Sequence, residues 1–514
     1  MLMSTCLVMF MLPGLALFYG GLARSKNVLG TMMHSMIALS IVGVQWVLLG
    51  YCMAFGKTQN GWIGWSPEYL GLAGVKPGDL FADSKIPLLV HCMFQGMFAI
   101  ITPALISGAI AERVRFVPYC FFVLLWSVLV YNPLAHWVWA YGPTPTPEEP
   151  GKFGAIGWLG AMGAVDFAGG TVVHIAAGFS GLAAILCLRK RIGYPEHAMH
   201  PNSIVLALLG AGLLWFGWFG FNGGSGLSSG PLAATALTAT QCAAASAGLV
   251  WALIELFHRG KPTGLGFATG IVAGRVAVTP ASGFVSPFSS LIIGALASMV
   301  CYSMVILKPR FGYDDSLDAF GVHGIGGLLG ALLTGIFASK AINSAGADGG
   351  AELFKNQVIA SVVAIVYSFV ITVVLVKVID AVFGFCLTPE AEGMGLDRSE
   401  HGEVGFDTGA NYDLIPEMPM AEPRAASAPP NGRNRFSVLV EGASPNEIMS
   451  TWSGLYKTDT LPTPDLQILY PYLTTVQGNR FRFRGGDRSQ LANALERMFA
   501  GNLRDRKIQT KIEN

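Results

Sequence analysis

Charged residues are scarce in this chain of 514 residues, and their scarcity excludes an ordinary soluble domain. Asp, Glu, Lys and Arg together make up 13% of the sequence, whereas hydrophobic residues make up 52%. Soluble domains devote about 25% of their residues to charged side chains. There are also 64 glycines, and this composition is typical of a protein that crosses a membrane several times. The sequence therefore predicts an all-α polytopic membrane protein.

The sequence also lacks an excess of either charge sign and lacks clustered cysteines. The formal net charge is +1, so nothing indicates nucleic acid or another polyanion as a partner. The 8 cysteines lie singly, mostly inside apolar segments, with no CxxC pair and no cysteine–histidine cluster. We interpret them as small buried hydrophobic residues rather than as disulfides or metal ligands. The sequence suggests neither a cofactor nor a metal ion.

Long apolar segments, in contrast, are abundant. A helix needs about 20 apolar residues to cross the hydrocarbon core, and we identify eleven such segments. The first starts beside Met1 without a basic region or a small-residue cleavage site, so we expect a retained span rather than a cleaved signal. The predicted spans cover roughly residues 2–22, 35–56, 87–111, 116–140, 168–188, 203–222, 233–257, 264–280, 288–307, 320–339 and 357–387.

Basic residues predict the orientation of these spans. The loops that follow the odd-numbered spans are short and contain RSK, ERVR, RKR, HRGK and KPR, whereas the loops after the sixth and eighth spans contain no lysine or arginine. Short cytoplasmic loops are enriched in these two residues. We therefore expect a multi-pass protein of the cytoplasmic membrane, with its N-terminus outside and its C-terminus in the cytoplasm.

The composition changes after the last predicted span. The membrane domain is expected to cover residues 1–388, a polar and charged cytoplasmic tail 389–411, and a linker rich in proline and alanine 412–434. Beyond it, RFSVLVEG and NRFRFRGG alternate like strands, whereas SPNEIMSTWSGLYK and RSQLANALERMFAG match capped amphipathic helices. Residues 435–514 are therefore predicted to form a small cytoplasmic α+β domain, whose role the sequence does not reveal.

Two short segments share one spacing. DFAGGTVVH runs from Asp166 to His174 and DSLDAFGVH runs from Asp315 to His323, and both place a histidine eight residues after an aspartate. Each histidine lies near the start of the fifth span of its half. Because five spans separate the two, the halves are inserted in opposite senses. This pattern predicts an inverted five-helix repeat with its functional site near the middle of the membrane.

A more ordinary interpretation of these residues remains open. A single intramembrane histidine serves about as often in helix–helix hydrogen bonding as in function. Two histidines at matching positions favour a paired site, because the small residues that follow each one let the helices approach closely. Asp166 and Asp315 each precede a helix, where a carboxylate caps free N–H groups. Capping alone accounts for Asp315, whereas for Asp166 a second role stays open. Both are predicted to act as supporting carboxylates.

Seven motifs resemble those of the ammonium transporter / methylammonium permease / Rhesus family. They are PGLALFYGGL, FQGMFA, ISGAIAERVRF, DFAGGTVVH, WFGFNGGS, DAFGVHG and GLDRSEHGE, and they cover residues 1 to about 405 in order. The resemblance implies an eleven-helix bundle with a pseudo-twofold axis, assembled as a homotrimer with one pore in each protomer. It also implies a regulatory cytoplasmic tail and a P-II-type regulatory protein as a partner.

The resemblance implies roles for four residues along a pore. His174 and His323 match the twin histidines that share a hydrogen bond across an apolar channel. Phe98, in FQGMF, and Phe221, in WFGFN, match a stacked phenylalanine gate above that channel. Aromatic residues at span ends are commonly interfacial anchors, so it is the flanking motifs that single out these two phenylalanines.

An outer ammonium-recruitment site is also implied. Trp139 and Ser225 match its aromatic and hydroxyl groups, Phe94 and Trp218 are further members, and Asp166 supports the site. A π face and a hydroxyl lone pair suit a small cation. An apolar constriction would then admit ammonium only as neutral ammonia, after loss of a proton, and exclude potassium, which would have to shed its water at a large cost.

The chain departs from the family's pattern at two places. The stretch AYGPTPTPEEPGKFGAIGWLGAM is longer and richer in proline and acid than usual. It predicts an outer loop, and it leaves Trp158 as a rival to Trp139 in recruitment. Arg275 is a full charge inside the eighth span, where an aliphatic residue is expected. We expect its side chain either at a contact between protomers or at the interface between membrane and water.

The leading functional hypothesis is ammonium transport: recruitment of the cation, its deprotonation, and conduction of ammonia with a proton relay through the twin histidines. The alternative is an ammonium sensor or transceptor that signals through the C-terminal domain. We find no histidine-kinase phosphoacceptor, nucleotide-binding or cyclase motif, which favours transport. A Rhesus-like passive gas channel is less favoured because the recruitment residues are present. An enzyme is disfavoured because no soluble catalytic constellation is visible and the two histidines lack a third metal ligand.

Overall fold

The structure is a computed structural model of the chain. It describes residues 1–82, 84–143, 153–197, 199–406, 435–457, 469, 473–477, 479–484, 487–503 and 507–513. The predicted linker at 412–434 lies outside the described residues, as does the middle of the predicted outer loop. The chain divides into two compact units, Met1–Gly409 and Ala410–Asn514, and each is considered by itself.

Every predicted span of the first unit coincides with a helix. Ten helices in the described residues are long and apolar enough to cross a membrane. One further helix has 15 residues and is short for a crossing, which takes about 20. In chain order these helices are α1 Leu2–Leu22, α2 Ser25–Phe55, α3 Leu88–Ile110, α4 Phe116–Trp139, α5 Gly170–Cys187, α6 Ile204–Gly224, α7 Pro231–Arg259, α8 Gly264–Val278, α9 Pro287–Phe311, α10 Phe320–Phe337 and α11 Ala351–Phe383.

The outer surface of the bundle is apolar, as a lipid environment requires. On α11, exposed valines recur at every fourth position and form one stripe along the helix. An apolar stripe of this length facing water would be unfavourable, whereas lipid tails solvate it. The stripe consists of Val362, Val366, Val370, Val374, Val378 and Val382, each at least 50% exposed.

Local signals set the helix ends. The side chains of Ser203, Thr263 and Ser286 accept hydrogen bonds from backbone N–H groups at the starts of α6, α8 and α9. Such caps satisfy donors that have no partner inside the helix. Gly260 and Gly312 end α7 and α9 in the left-handed conformation, at φ of 76° and 74°, which glycine adopts without strain.

Small residues bring the helices close together. A Cβ on Gly210 of α6 would lie 2.3 Å from the backbone nitrogen of Phe18 in α1, and one on Gly21 would lie 2.5 Å from the nitrogen of Ala207. Backbone-to-backbone contact of this kind is the means by which membrane helices gain packing energy. The close crossing of α1 and α6 therefore depends on the glycines rather than on large side chains.

Loops at one end of the bundle are joined by a buried ionic cluster. The Arg191 guanidinium lies 2.7 Å from the Asp314 carboxylate and 3.2 Å from that of Glu112. Arg24 pairs with Glu112 and Arg113 with Asp314, at 2.8 and 2.9 Å. Burial alone would raise the pKa of Asp314, but the hydrogen bonds and charges of Arg191 and Arg113 outweigh it and lower that pKa. The cluster thus fixes four loops to one another.

A short tail packs against the same loops. It forms two single-turn helices, α12 Pro389–Met394 and α13 Leu396–His401. The carboxylate of Glu392 accepts a hydrogen bond from the N–H of Ile192 at 2.7 Å and pairs with Arg189 at 2.5 Å. Asp397 accepts the N–H of Gly30 at 2.8 Å. The tail is therefore held at both helices by buried acceptors.

The described residues of the second unit include four strands and two helices in the order β-α-β-β-α-β, and Leu469, between the first helix and the second strand, is also helical. Its antiparallel sheet has the order 2-3-1-4 when its strands are numbered within the unit. Four phenylalanines, Phe436, Phe481, Phe483 and Phe499, form much of its core together with Leu495. The elements are Arg435–Glu441, Pro445–Lys457, Leu473–Gln477, Arg480–Arg484, Arg488–Asn502 and Gln509–Glu513.

Candidate functional site

The segment that leads into α5 is organised by the carboxylate of Asp166. This carboxylate accepts hydrogen bonds from the four backbone N–H groups of residues 169–172, at 2.7–3.1 Å. Gly169 turns the chain at φ 117°, a conformation that side chains disfavour. Burial raises the pKa of Asp166, and the four N–H groups oppose this effect. The carboxylate thus satisfies the free donors of the helix start, as the capping interpretation requires.

The segment that leads into α10 has the same design. The carboxylate of Asp315 accepts the N–H groups of residues 319–321 at 2.9–3.4 Å, and Asp318 makes the left-handed turn at φ 59°. The Lys308 ammonium lies 2.6 Å from the Asp318 carboxylate and donates to the carbonyl oxygen of Asp315. Burial raises the pKa of Asp315 to about 6, although the nearby lysine opposes the shift.

The two histidines meet inside the bundle. His174 lies in a π-helical turn at residues 170–175 and His323 in a π-helical turn at residues 320–324. Their Nδ1 atoms are 3.3 Å apart, and the rings lie nearly parallel at 20°. Both side chains are buried. In a neutral pair one Nδ1 carries a proton and donates the hydrogen bond, and the other Nδ1 accepts that bond, so the two rings hold different tautomers.

Two glycines that were not singled out in the sequence allow this contact. Gly178 follows His174 by four residues, and a Cβ there would lie 2.2 Å from the backbone of Gly324. Gly327 follows His323 by four residues, and a Cβ there would lie 2.8 Å from the Cβ of His174. The equal offset of glycine from histidine in both segments was the signal that could have identified them.

A narrow apolar constriction surrounds the histidine pair. It encloses only about 10 Å³ of free volume, which is about the smallest space that a single water needs. At one end, the rings of Phe98 and Phe221 stack at 4.1 Å. The lining residues are Met11, Leu15, Phe18, Ile101, Leu105, Val173, His174, Leu214, Trp218, Phe221, Val272 and His323.

A cavity of about 360 Å³ lies on the Phe98 side of the constriction and contains Trp139 and Ser225. The Trp139 indole donates to the carbonyl oxygen of Asp166 at 2.8 Å, which fixes the orientation of its π face. The Ser225 hydroxyl donates to the carbonyl of Phe221 at 2.8 Å, so its oxygen lone pairs stay available to a donor. We call this space the aromatic cavity.

A second cavity of about 390 Å³ lies on the His323 side. Its lining includes charged groups, among them Lys308, Asp318, Glu255 and Arg191. The two cavities differ in character, since the aromatic cavity has no Asp, Glu, Lys or Arg among its lining residues in the described part of the chain. We call the second space the charged cavity.

Three further aromatic candidates for recruitment do not line the aromatic cavity. Trp218 lines the constriction and stacks on His174 at 5.5 Å. Phe94 is buried behind Phe98, at 4.9 Å between ring centroids. Trp158 packs against Trp62 at 5.2 Å and is not among the lining residues of the aromatic cavity. Sequence spacing did not reveal these placements, because they depend on how the helices are rotated against one another.

The prediction that Arg275 lies at an interface or a protomer contact is wrong. Its side chain is fully buried within the bundle, where its guanidinium carbon lies 4.9 Å from the ring centroid of Trp218. In the described part of the chain, no group of three or more His, Cys, Asp or Glu residues is arranged to hold a metal ion.

Apolar helices around two cavities joined by a narrow apolar constriction define a channel-like membrane transport protein. The chain belongs to the ammonium transporter family, because the model of the Ammonium Transporter Family matches residues 1–406. It is 46% identical to the ammonium transporter of Bacillus subtilis over 413 residues, which are 79% of this chain and 97% of that protein.

Solved structures agree with this assignment. The crystal structure of Saccharomyces cerevisiae Mep2 has a TM-score of 0.68 and 35% identity, covering 76% of this chain and 86% of Mep2. A structure titled Sensor Amt Protein has a TM-score of 0.69 and 29% identity, covering 78% of this chain and 96% of that chain. The family match ends at residue 406, so it does not extend to the second unit.

Proposed function

We propose that this protein transports ammonium across the cytoplasmic membrane. The observation that carries the proposal is the pair of imidazoles at 3.3 Å, placed in a constriction between two cavities. The relatives named ammonium transporters support it, because they align with the whole membrane unit. We divide transport into recruitment, conduction and proton transfer, which rest on separate residues.

Recruitment takes place in the aromatic cavity. The π face of Trp139 and the ring of Phe98 attract the ammonium cation, and the oxygen of Ser225 accepts one of its N–H groups. Phe94 supports Phe98 from behind. Asp166 acts indirectly, since its carbonyl oxygen holds the Trp139 indole. Trp218 lies too deep for this step and belongs to the constriction.

Conduction passes the Phe98–Phe221 gate as neutral ammonia. A fully desolvated monovalent cation in so narrow an apolar space would lose tens of kcal/mol of hydration by idealised Born estimates. Ammonium avoids this cost by giving up a proton before the constriction and regaining one beyond it. Potassium has no proton to give up, so it is excluded although its size is similar.

The histidine pair is the proposed path for the separated proton. The hydrogen-bonded pair of His174 and His323 can accept a proton on one ring and release a proton from the other. Each ring then holds the tautomer that the other ring held before. Ammonia and the proton recombine in the charged cavity, so atoms and charge balance over the cycle. The same imidazoles can donate to, or accept from, ammonia as it passes.

We also propose the finer architecture. All eleven helices span the membrane, with α8 as a short buried member, and α1–α5 and α6–α10 form the inverted repeat. The Asp–histidine–glycine spacing shared by α5 and α10 supports this division. The basic loops place the charged cavity at the cytoplasmic face and the N-terminus outside. By family, we propose a homotrimer and a P-II-type regulatory partner.

The remaining boundaries follow the composition. The membrane domain covers 1–388, the regulatory tail 389–411, the linker 412–434 and the α+β domain 435–514. We propose that the last domain regulates transport, by binding a regulator or the cytoplasmic face of the trimer. The β-α-β-β-α-β order of its described elements and the sheet order 2-3-1-4 support a ferredoxin-like fold.

The experiment is a current measurement on proteoliposomes adsorbed to a planar supported membrane, with an ammonium pulse and a potassium pulse of equal concentration. We expect an ammonium current in the wild type and a far smaller potassium current. His174→Ala should lower the ammonium current at least about tenfold, which corresponds to about 1.4 kcal/mol of barrier, or admit potassium. His200→Ala, an exposed loop histidine, is the matched control.

A chain cut after residue 411 tests the second unit in the same measurement. A larger current than the wild type would identify the α+β domain as an inhibitor of transport. Tight ammonium binding by the wild type without any current, with or without the domain, would contradict transport and support the sensor alternative.

A further inference from the structure

Arg275 is a buried cation in the described part of the membrane unit that has no carboxylate partner there. Its Nε donates to the carbonyl oxygen of Ile271 at 2.8 Å, and its Nη1 donates to that of Ala211 at 3.4 Å. Its Nη2 has no hydrogen-bond partner among these residues. An uncompensated charge in this position is expensive for the fold, which calls for a function.

The guanidinium lies between two tryptophans of α6. Its central carbon is 4.9 Å from the ring centroid of Trp218 and 5.8 Å from that of Trp215. Trp218 is oriented by a hydrogen bond from its indole N–H to the hydroxyl of Thr279 at 2.9 Å. Its ring lies at 20° to that of His174, with 5.5 Å between centroids. A continuous row therefore runs from the guanidinium through the indole to the imidazole pair.

The charge stands beside the constriction without lining it. Trp218, Val272 and His323 line the narrow space, whereas Arg275 lies behind them. Arginine remains protonated in proteins, and buried charges are screened little by salt. The constriction therefore lies in the field of a fixed positive charge, which repels a cation directly but acts on uncharged ammonia only through its dipole.

We propose that Arg275 is a specificity-determining residue of the pore: held behind Trp218, its fixed charge repels potassium and ammonium ions from the constriction, so that ammonia is the molecule that passes and the separated proton moves only by exchange within the histidine hydrogen bond. The inference rests on the proposed transport of ammonium and deepens it. In this arrangement, apolar lining and electrostatic repulsion act together against potassium. The cation–π contact keeps the charge close to the pore while the indole shields it from direct contact with the passing molecule.

The test compares four proteins by the ratio of potassium current to ammonium current in proteoliposomes: the wild type, Arg275→Met, Arg275→Lys and Arg310→Met. Arg275→Met removes the charge but keeps a long flexible side chain. We expect it to raise the potassium-to-ammonium ratio about fivefold or more, as loss of a weakly screened repulsion requires. Arg275→Lys keeps the charge and should keep the exclusion. Arg310→Met removes an exposed arginine at the end of α9 and should leave the ratio unchanged.

A ratio in folded Arg275→Met equal to that of the wild type would overturn the proposal, and so would a ratio raised equally in Arg275→Lys, because stacking rather than charge would then be responsible. Arg275→Gln serves as a second neutral variant. If neither neutral variant folds, as judged by size-exclusion chromatography and thermal unfolding, Arg275 has a structural role and the proposal is also overturned. Absence of ammonium current in the wild type would instead contradict the proposed function itself.

Discussion

The segments around α5 and α10 share their geometry and differ in their surroundings. Both place a histidine eight residues after a carboxylate that binds the start of the helix, and a glycine four residues beyond that histidine. The Asp166 end adjoins an aromatic cavity without charged lining residues in the described part of the chain, whereas the Asp315 end adjoins Lys308 and the charged cavity. His323 reaches that cavity and His174 does not.

The residues that hold the two histidines in place are therefore different from the residues that determine the chemistry of the two cavities. The matched spacing and the glycine contacts hold the imidazoles together, and they are common to both segments. The chemistry at the two ends comes from residues outside the shared pattern, such as Trp139 on one side and Lys308 on the other. A pore of this design can have a symmetric centre and unlike mouths.

The largest effect is expected from a substitution that breaks the glycine contact on one side only. Gly178→Ala would place a Cβ 2.2 Å from the Gly324 backbone, which cannot move without shifting α10. We expect destabilisation by about 3 kcal/mol or more, seen as loss of monodisperse protein or a large fall in Tm. Gly327→Ala meets a contact at 2.8 Å and should be milder. Equal Tm values for both variants would contradict the contact that we assign to Gly178.

The next effect compares the two carboxylates. Asp166→Ala leaves four buried N–H groups without an acceptor and Asp315→Ala leaves three. We expect losses of about 2–4 kcal/mol for the first and about 1–3 kcal/mol for the second. Thermal unfolding in detergent measures both. A larger loss at Asp315 would show that its partners contribute more than the hydrogen bonds indicate. Asp380→Ala removes an exposed carboxylate near the end of α11 that accepts one backbone N–H, that of Phe385 at 2.8 Å, and gives the scale for a single bond of this kind.

A smaller effect concerns pH. Burial raises the pKa of Asp315 to about 6, above the value of about 3.9 for an unfolded chain. The folded protein therefore holds this proton more tightly, and the stability gained is complete below about pH 4 and lost as the pH rises through about 6. Asp315→Asn removes this dependence.

The measurement is the difference in Tm between the wild type and Asp315→Asn at several pH values. The Tm of the wild type minus the Tm of the variant should be largest at about pH 4.5 and smallest at about pH 7. Burial also raises the pKa of Asp166, so Asp166→Asn should show the same sign. An advantage of the wild type that grows towards neutral pH would mean that the carboxylate is held in its charged form.

The smallest effect is expected from a substitution in the aromatic cavity, and it tests how the two mouths of the pore differ. Trp139→Leu removes the π face that we assign to recruitment and should raise the KM for ammonium about 3- to 10-fold, in line with a cation–π interaction of about 1 kcal/mol. Trp158→Leu alters a tryptophan outside the lining of the aromatic cavity and should leave KM unchanged. Concentration series of the ammonium current give both values, and a matching rise in Trp158→Leu would restore it as the rival recruiter.

The sequence predicted the features that depend on local pattern. Hydropathy located the helices, the Asp–histidine spacing located the two segments, and the motifs singled out Phe98 and Phe221, which do stack. It did not locate residues whose position depends on helix rotation. Trp218 was expected at the outer site and lies in the constriction. Arg275 was expected at a boundary and is fully buried, since an isolated helix gives no sign of which neighbour will cover it.

The glycine contacts at Gly178 and Gly327 also bear on how such a pore can evolve. Most distances inside a protein can drift by small exchanges of one side chain for another. Here the spacing of the imidazoles is set by backbone atoms that touch one another, and mutation offers no intermediate between glycine and a clash. The side chains behind the constriction are therefore the positions at which selectivity can change without moving the imidazoles.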